Sequence, residues 1–227
     1  MRPHTRGDSH AYNRLVRQLH LNLHGGVAGD MLVAALADAL GSLEPLEQAL
    51  ASLPLPQGSF TWDLLREERG GLAGARFVVE CAPEHAHRHL ADVLDLLRGA
   101  RLTPRALAWA ETAFQELAQA EGEAHGCEPE EVHFHEVGAV DAIVDVAAAC
   151  TALDALNPGN LYSTAVPVGS GTVHAAHGEM PVPAPGTLRL LVGMPVCGTR
   201  LRGERATPTG VALLRACGIK ASTDARG

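Results

Sequence analysis

The sequence predicts an α/β or α+β fold, in which a mixed sheet and packed helices form a two-layer sandwich. Strand–turn–helix units recur along the chain, as expected for such layered folds. The chain has 227 residues, of which 46% are hydrophobic, enough to bury a core without disulfide bonds. No clean linker or internal repeat interrupts it, so we expect one domain over residues 19–227 after a loose polar leader over 1–18.

The first half of the chain predicts helices between strands. Alternation over 20–23 indicates a short strand, and the glycine-rich turn after it leads into an apolar helix for which Asp30 is the expected N-cap. A Gly70-Gly71 pair separates two strand-like runs, which predicts a hairpin with a long loop. The expected elements are strands at 20–23, 60–66 and 75–81, a helix at 30–40, and a second helix from about 43 that ends before Pro54.

The second half predicts one long helix and one very apolar helix. Thr103-Pro104 is typical of an N-cap followed by the first helical position, and the helix it starts extends to about His125. A Gly138 that follows a strand-like run indicates a break before the apolar helix. The remaining expected elements are helices at 90–97 and 140–156, strands at 131–137 and 161–168, and short helices after Pro185 and Pro208.

Composition excludes several classes of function. The chain has 18 Lys and Arg against 26 Asp and Glu, a net charge of −8, which argues against a nucleic-acid partner. Lys220 is its one lysine, which excludes a Walker-type phosphate loop and a Schiff-base enzyme.

The cysteines and the N-terminal sequence indicate where in the cell the protein is expected. The five cysteines are scattered and form no CxxC motif, as expected of reduced thiols in a cytoplasmic protein. We find neither a signal peptide nor an apolar run long enough to span a membrane, so we expect a cytoplasmic protein without a membrane partner.

Metal-ligating residue types are densest between residues 131 and 145. If this segment begins as a strand, His133 and His135 project from one face, and Glu136 follows directly. Asp141 and Asp145 are four residues apart, on one face of an otherwise apolar helix. Imidazoles and carboxylates at this spacing can hold a metal ion. A structural role, as a strand-edge histidine pair and a helix cap, is the alternative.

Two other segments offer candidate ligands. His85, His87 and His89 alternate in a polar stretch that could capture nickel, zinc or copper, or be a loop of weak affinity. His174 and His177 are candidate acid/base groups or ligands.

Two glycine-rich turns could hold a phosphate, or be ordinary tight turns. One is the Gly-Ser-Gly-Thr turn formed by Gly169, Ser170, Gly171 and Thr172, which can present backbone N–H groups to an anion. The other is the turn 25–29 at the start of a helix, whose candidate binding residues are Gly26, Gly29 and Asp30.

Together, these segments resemble the nickel-insertion protein family of LarC type. The matching strings run in order from about Leu19 to Leu214 and are far more specific together than singly. They are GDM at 29–31, HRHLADV at 87–93, EVHFHEVGAVDAIVDV at 131–146, PVGSGTV at 167–173, HGEMPVPAPGTLRLL at 177–191 and ATPTGVALL at 206–214.

The resemblance implies a CTP-dependent nickel-inserting lyase, a cyclometallase. Such a protein inserts Ni²⁺ into a pyridinium bis-thiocarboxylate mononucleotide, with nickel–carbon and nickel–sulfur bonds, during nickel-pincer cofactor biosynthesis. Family members continue into a C-terminal region used for CTP and its divalent ion, so we expect a separately encoded partner chain to supply that region here. The implied small-molecule partner is the mononucleotide, and the chain could also form a homo-oligomer.

Two alternatives from other classes stay open. A noncatalytic nickel or zinc chaperone, or a metal store, would need the histidines and carboxylates but no anion site. A metal-dependent hydrolase of small phosphorylated substrates would use a metal-activated water. Ligand types alone do not distinguish Ni²⁺ from Zn²⁺.

Overall fold

A computed structural model describes residues 18–83, 88–134, 138–175 and 178–221 of the chain. Within these ranges helices alternate with parallel and antiparallel strand pairs, and the expected α/β class is confirmed. The expected leader over 1–18 lies outside the described residues except for Gln18, which begins the first strand.

The helices begin and end close to where the sequence predicts them. Thr103 is the N-cap of the longest helix, and its Oγ1 accepts a hydrogen bond from the Ala106 N–H at 3.2 Å. The helices in the described residues are α1 (Gly29–Leu40), α2 (Glu44–Leu50), α3 (Leu90–Gly99), α4 (Pro104–His125), α5 (Val140–Leu156), α6 (Pro185–Leu190) and α7 (Pro208–Ala216).

The prediction that Asp30 caps α1 is wrong. The N-cap is Ala28, and Asp30 lies in the first turn, where its Oδ1 accepts a hydrogen bond from the Met31 N–H at 2.8 Å. The helix begins earlier than predicted because Gly29, which has no side chain, is already helical against a neighbouring helix.

The strands form small sheets instead of one large one. In the described residues they are β1 (Gln18–Leu21), β2 (Phe60–Arg69), β3 (Leu72–Cys81), β4 (Arg88–His89), β5 (His133–Phe134), β6 (Asn160–Ser163), β7 (Val166–Ser170), β8 (Thr172–Ala175), β9 (Gly178–Pro181), β10 (Val196–Arg202) and β11 (Lys220–Ala221). Strand β6 lies between β1 and β11, all parallel, and β7 pairs in parallel with β10. The pairs β2–β3, β4–β5 and β8–β9 are antiparallel.

Two predicted strands differ from the structure. The strand expected over 161–168 is divided at Thr164, whose N–H donates to the Leu21 carbonyl oxygen and whose Oγ1 accepts from the Leu23 N–H. Before Thr164 the chain pairs with β1, as β6, and after it the chain pairs with β10, as β7. In the strand expected over 131–137, Glu131 belongs to a 3₁₀ turn that starts at Pro129, and the described strand is His133–Phe134.

Helix α5 is the centre of the core. It is buried almost all round and contacts α1, α2, α4 and α7. Phe114 of α4 and Phe134 of β5 are fully buried and lie edge to face, with ring centroids 6.2 Å apart. This contact holds β5 against the core just before α5 begins. In the described part of the chain, every helix is too short or too polar to cross a membrane.

Candidate metal and anion site

Three aspartates lie where α1 meets α5. Asp141 and Asp145 are on the first turns of α5, and Asp30 is on the first turn of α1. A Cβ added at Gly29 would lie 2.6 Å from Asp145 Oδ2, so the two helices approach closely at this point. The Asp30 backbone N–H donates a hydrogen bond to the Asp145 carboxylate. The structure therefore joins Asp30, predicted as a cofactor-binding residue, to two predicted metal ligands.

The aspartate cluster retains a proton near neutral pH. Burial, followed by the negative charges of Asp30 and Asp141, raises the pKa of Asp145 to about 8, although the Asp30 N–H opposes the shift. Asp30 and Asp141 are exposed, whereas Asp145 is half-buried. A divalent cation that bound these oxygens would replace the proton and neutralise the like charges.

A cavity of about 250 Å³ opens beside Asp30, between the start of α1 and the β2–β3 hairpin. Met31, Leu72 and Phe77 contribute its apolar wall. Glu67 lies in the same wall, and hydrogen bonds and ion pairs with its neighbouring arginines lower its pKa. The cavity therefore combines an apolar surface with charged groups, as small-molecule sites commonly do.

Two predicted metal ligands from separate segments form a histidine pair. His89 ends β4 and His133 begins β5, and the two residues are partners in the antiparallel register. Their ring centroids are 4.0 Å apart, with an angle of 51° between the ring planes. His133 is exposed, whereas His89 is half-buried with its Nδ1 shielded from solvent, so a dissolved cation reaches the pair from the His133 side. Two imidazoles this close can approach one metal ion.

The histidine pair is connected to the start of α5. Arg88 Nη1 donates to the Gly138 carbonyl oxygen at 2.9 Å, which fixes β4 to the segment that enters the helix. A Cβ at Gly138 would lie 2.5 Å from the Phe134 Cβ, so Gly138 packs directly against the end of β5. The pair and the aspartates are thus on either side of one short connection.

The predicted ligands do not all meet in one place. In the part of the chain that the structure describes, no group of three or more His, Cys, Asp or Glu side chains is placed to hold a single metal ion. The remaining candidates fall outside the described residues, namely His85, His87, His135, Glu136 and His177. His174 is described and exposed, on β8 opposite Glu179.

The two glycine-rich turns contact one shared segment, 203–206. A Cβ at Gly26 would collide with the Arg205 carbonyl oxygen, which accepts a hydrogen bond from the Val27 N–H at 2.7 Å. A Cβ at Gly169 would collide with the Gly203 carbonyl oxygen and lie 3.2 Å from Arg205 Cγ. The sequence analysis overlooked Arg205, although it directly precedes the ATPTGVALL string.

The hydroxyl groups of the second turn already act as donors. Ser170 Oγ donates to the Leu201 carbonyl oxygen at 3.4 Å, and Thr172 Oγ1 donates to Glu179 Oε1 at 2.6 Å. Gly171 between them has a φ of +95° and gives the turn its shape.

Comparisons with known proteins agree on one family. The family model described as nickel insertion protein matches residues 19–224. A candidate nickel insertion protein of Geobacter metallireducens is 44% identical over 198 residues, which are 87% of this chain and 51% of the relative. A pyridinium-3,5-bisthiocarboxylic acid mononucleotide nickel insertion protein of Staphylococcus epidermidis is 37% identical over 201 residues, 88% of this chain and 50% of the relative.

The matches cover nearly all of this chain but only part of its relatives. The chain spans about half the length of the curated relatives it matches. No solved structure matches the chain. Because the family model covers residues 19–224, nearly the whole sequence, the chain belongs to the nickel insertion protein family.

Proposed function

We propose that this chain binds Ni²⁺ and pyridinium-3,5-bisthiocarboxylic acid mononucleotide and takes part in inserting the metal into that mononucleotide. One observation supports the proposal most directly. The string 131–146 contributes His133, Asp141 and Asp145, and the fold brings His89 and Asp30 from two other family strings to them at the start of α5. A relative that is 37% identical carries the name of this insertion reaction, which favours insertion over a metal store or a phosphate-ester hydrolase.

Nickel is a substrate in this proposal, and the chain's own groups receive it. The exposed imidazole of His133 and its partner His89 accept the cation first. Asp30, Asp141 and Asp145, which do not form a three-ligand site by themselves in the described structure, supply further donors beside the histidines, and metal binding at Asp145 releases the proton that it retains. The proposed set also includes His85, His87, His135 and Glu136. Zinc competes for the same donors.

The mononucleotide is held by the glycine-rich turns. We assign its phosphate to the turn with Gly26 and Gly29 and to the turn 169–172, which Gly26 and Gly169 bring against one common segment, 203–206. Insertion replaces a ring C–H bond with a carbon–nickel bond, so a base must accept the proton. His174 and His177 remain our proposed bases.

The remaining parts of the proposal concern the CTP-binding region and the location of the chain in the cell. We propose, from the family resemblance, that a separately encoded partner chain supplies the region that binds CTP and its divalent ion. We also propose a cytoplasmic location, which the scattered cysteines without a CxxC motif favour.

An insertion assay tests this function. The chain is mixed with Ni²⁺, the mononucleotide and CTP, with and without the remaining half of a full-length relative, and the nickel-containing product is measured by mass spectrometry. We expect product only when both halves are present, and a loss of at least about tenfold in Asp141→Asn/Asp145→Asn. Asp95→Asn, an exposed aspartate on α3, is the matched control.

Two results would contradict the proposal. Equal product without this chain would remove its role in insertion. Stoichiometric nickel binding with no product under any of these conditions would instead favour the metal store.

A further inference from the structure

Arg205 is an arginine with an unused, buried donor. Its Nε is shielded from solvent and has no hydrogen-bond partner, while Nη2 donates to the Arg202 carbonyl oxygen at 2.7 Å. Among the described residues, Arg205 forms no ion pair with a carboxylate. A buried N–H without an acceptor is costly, and a guanidinium presents several donors in one plane. Because Arg205 as a whole is half-buried, a small rotation of the guanidinium would bring its Nε–H to an oxyanion at the exposed edge of the side chain, which would supply the missing acceptor.

The backbone around Arg205 is fixed on both sides. Its carbonyl oxygen accepts from the Val27 N–H, and the Thr207 N–H donates to the Val27 carbonyl oxygen at 3.0 Å. On the other side, the Gly203 N–H donates to the Ser170 carbonyl oxygen at 3.0 Å. The Arg205 side chain therefore starts between the two glycine-rich turns, from a backbone that hydrogen bonds hold in place.

Glycines let both turns pack directly against the backbone of the segment that contains Arg205. A side chain at Gly26 would collide with the Arg205 carbonyl oxygen, and one at Gly169 would collide with the Gly203 carbonyl oxygen, so both turns meet this segment backbone to backbone. The first turn of α7 also packs here, because a Cβ at Gly210 would lie 2.6 Å from the Val27 carbonyl oxygen. A guanidinium that starts beside two glycine-rich turns can combine its own N–H donors with backbone N–H groups, as phosphate-binding sites do.

We infer that Arg205 binds the phosphate monoester of the mononucleotide. This inference rests on the proposed function for the identity of the ligand and deepens it by naming the residue that recognises the phosphate. A planar guanidinium pairs well with phosphate oxygens. The mononucleotide also has anionic groups on its ring, so the test must separate phosphate recognition from recognition of a ring carboxylate.

Calorimetry with three commercially accessible probes makes that separation. Nicotinic acid mononucleotide has both a phosphate and a ring carboxylate, its riboside lacks the phosphate, and nicotinamide mononucleotide lacks the carboxylate. Inorganic phosphate is a fourth probe. We expect the full chain to bind nicotinic acid mononucleotide more tightly than the riboside. In Arg205→Gln, the ratio of these two affinities should fall by about tenfold or more.

Two further variants separate binding from folding. Arg205→Lys retains the charge but not the Nε donor, and we expect it to recover part of the preference. Arg101→Gln replaces an arginine in the exposed segment before α4 and should bind all four probes as the parent chain does. Thermal unfolding of each variant shows whether it is folded under the conditions of the titration.

The outcomes distinguish this inference from the proposed function. If Arg205→Gln and Arg205→Lys retain the full preference for the mononucleotide, the inference is overturned and the proposed function stands. If Arg205→Gln loses discrimination between the two mononucleotides instead, the residue recognises the ring carboxylate and the phosphate assignment is wrong. If inorganic phosphate binds through Arg205 but no nucleotide binds, the phosphate site stands and the proposed substrate fails. If the parent chain binds none of the four probes, both are overturned.

Discussion

Asp145 makes the stability of the chain depend on pH. Its pKa is raised to about 8 by burial and by the charges of Asp30 and Asp141. Between about pH 4 and pH 8 the folded chain therefore binds a proton that the unfolded chain has released, and stability falls as pH rises through this window. Asp145→Asn removes the ionisation. We expect it to raise the thermal unfolding midpoint at about pH 8 by roughly 5 °C and to flatten the pH dependence.

Circular dichroism melts across this window check the prediction. Asp95→Asn serves as the control, because Asp95 is 79% exposed on α3 and should leave the pH dependence unchanged. Parallel curves for Asp145→Asn and the parent chain would show that Asp145 ionises normally in the folded state.

Individual residues show where sequence reasoning reaches its limit. Asp141 and Asp145 could be paired from their spacing, because a helix places residues four apart on one face. Arg205 could not be selected, since its role depends on two turns that are far from it in sequence. The contact between His89 and His133 likewise arises from strand pairing across more than forty residues, which neither local pattern contains.

At the scale of whole elements, α4 and α7 offer a matched comparison. Thr103 caps α4 and Thr207 caps α7, each by accepting a backbone N–H at 3.2 Å. We expect Thr103→Ala and Thr207→Ala each to lower the free energy of unfolding by about 1 kcal/mol, as measured by urea denaturation. Of these two helices, only α7 begins beside the glycine-rich turn 25–29. Only Thr207→Ala should therefore also weaken the binding of inorganic phosphate.

Two results of the phosphate-binding measurement would contradict this prediction. Equal loss of phosphate binding in both variants would mean that general stability, and not the position of α7, controls the site. No loss in either variant would place the anion away from the start of α7.

The elements that were predicted best contain their own boundary signals. Helix α4 begins at Pro104 as expected because Thr103-Pro104 fixes both the cap and the first helical dihedral angle. Helix α5 matches the predicted range because it is apolar around most of its circumference and is followed by Asn157, which has a left-handed conformation. The strand over 161–168 was predicted as one element because its division at Thr164 depends on β1 and β10.

For the whole molecule, α5 organises both fold and site. Its buried length contacts four other helices, and its N-terminal end adjoins the aspartates and the histidine pair. The sequence was sufficient to identify the family strings and the α/β class. Their grouping around one helix end required the tertiary structure, because packing and not local pattern brings them together.

Nickel titration calorimetry on the tag-free chain tests the central claim most directly. We expect stoichiometric binding that weakens by at least about tenfold in His89→Ala/His133→Ala, because the two imidazoles lie side by side. His125→Ala, which removes an exposed histidine from the end of α4, should titrate as the parent chain does. Identical titrations for all three proteins would contradict the account, because the paired histidines would then have no part in receiving nickel.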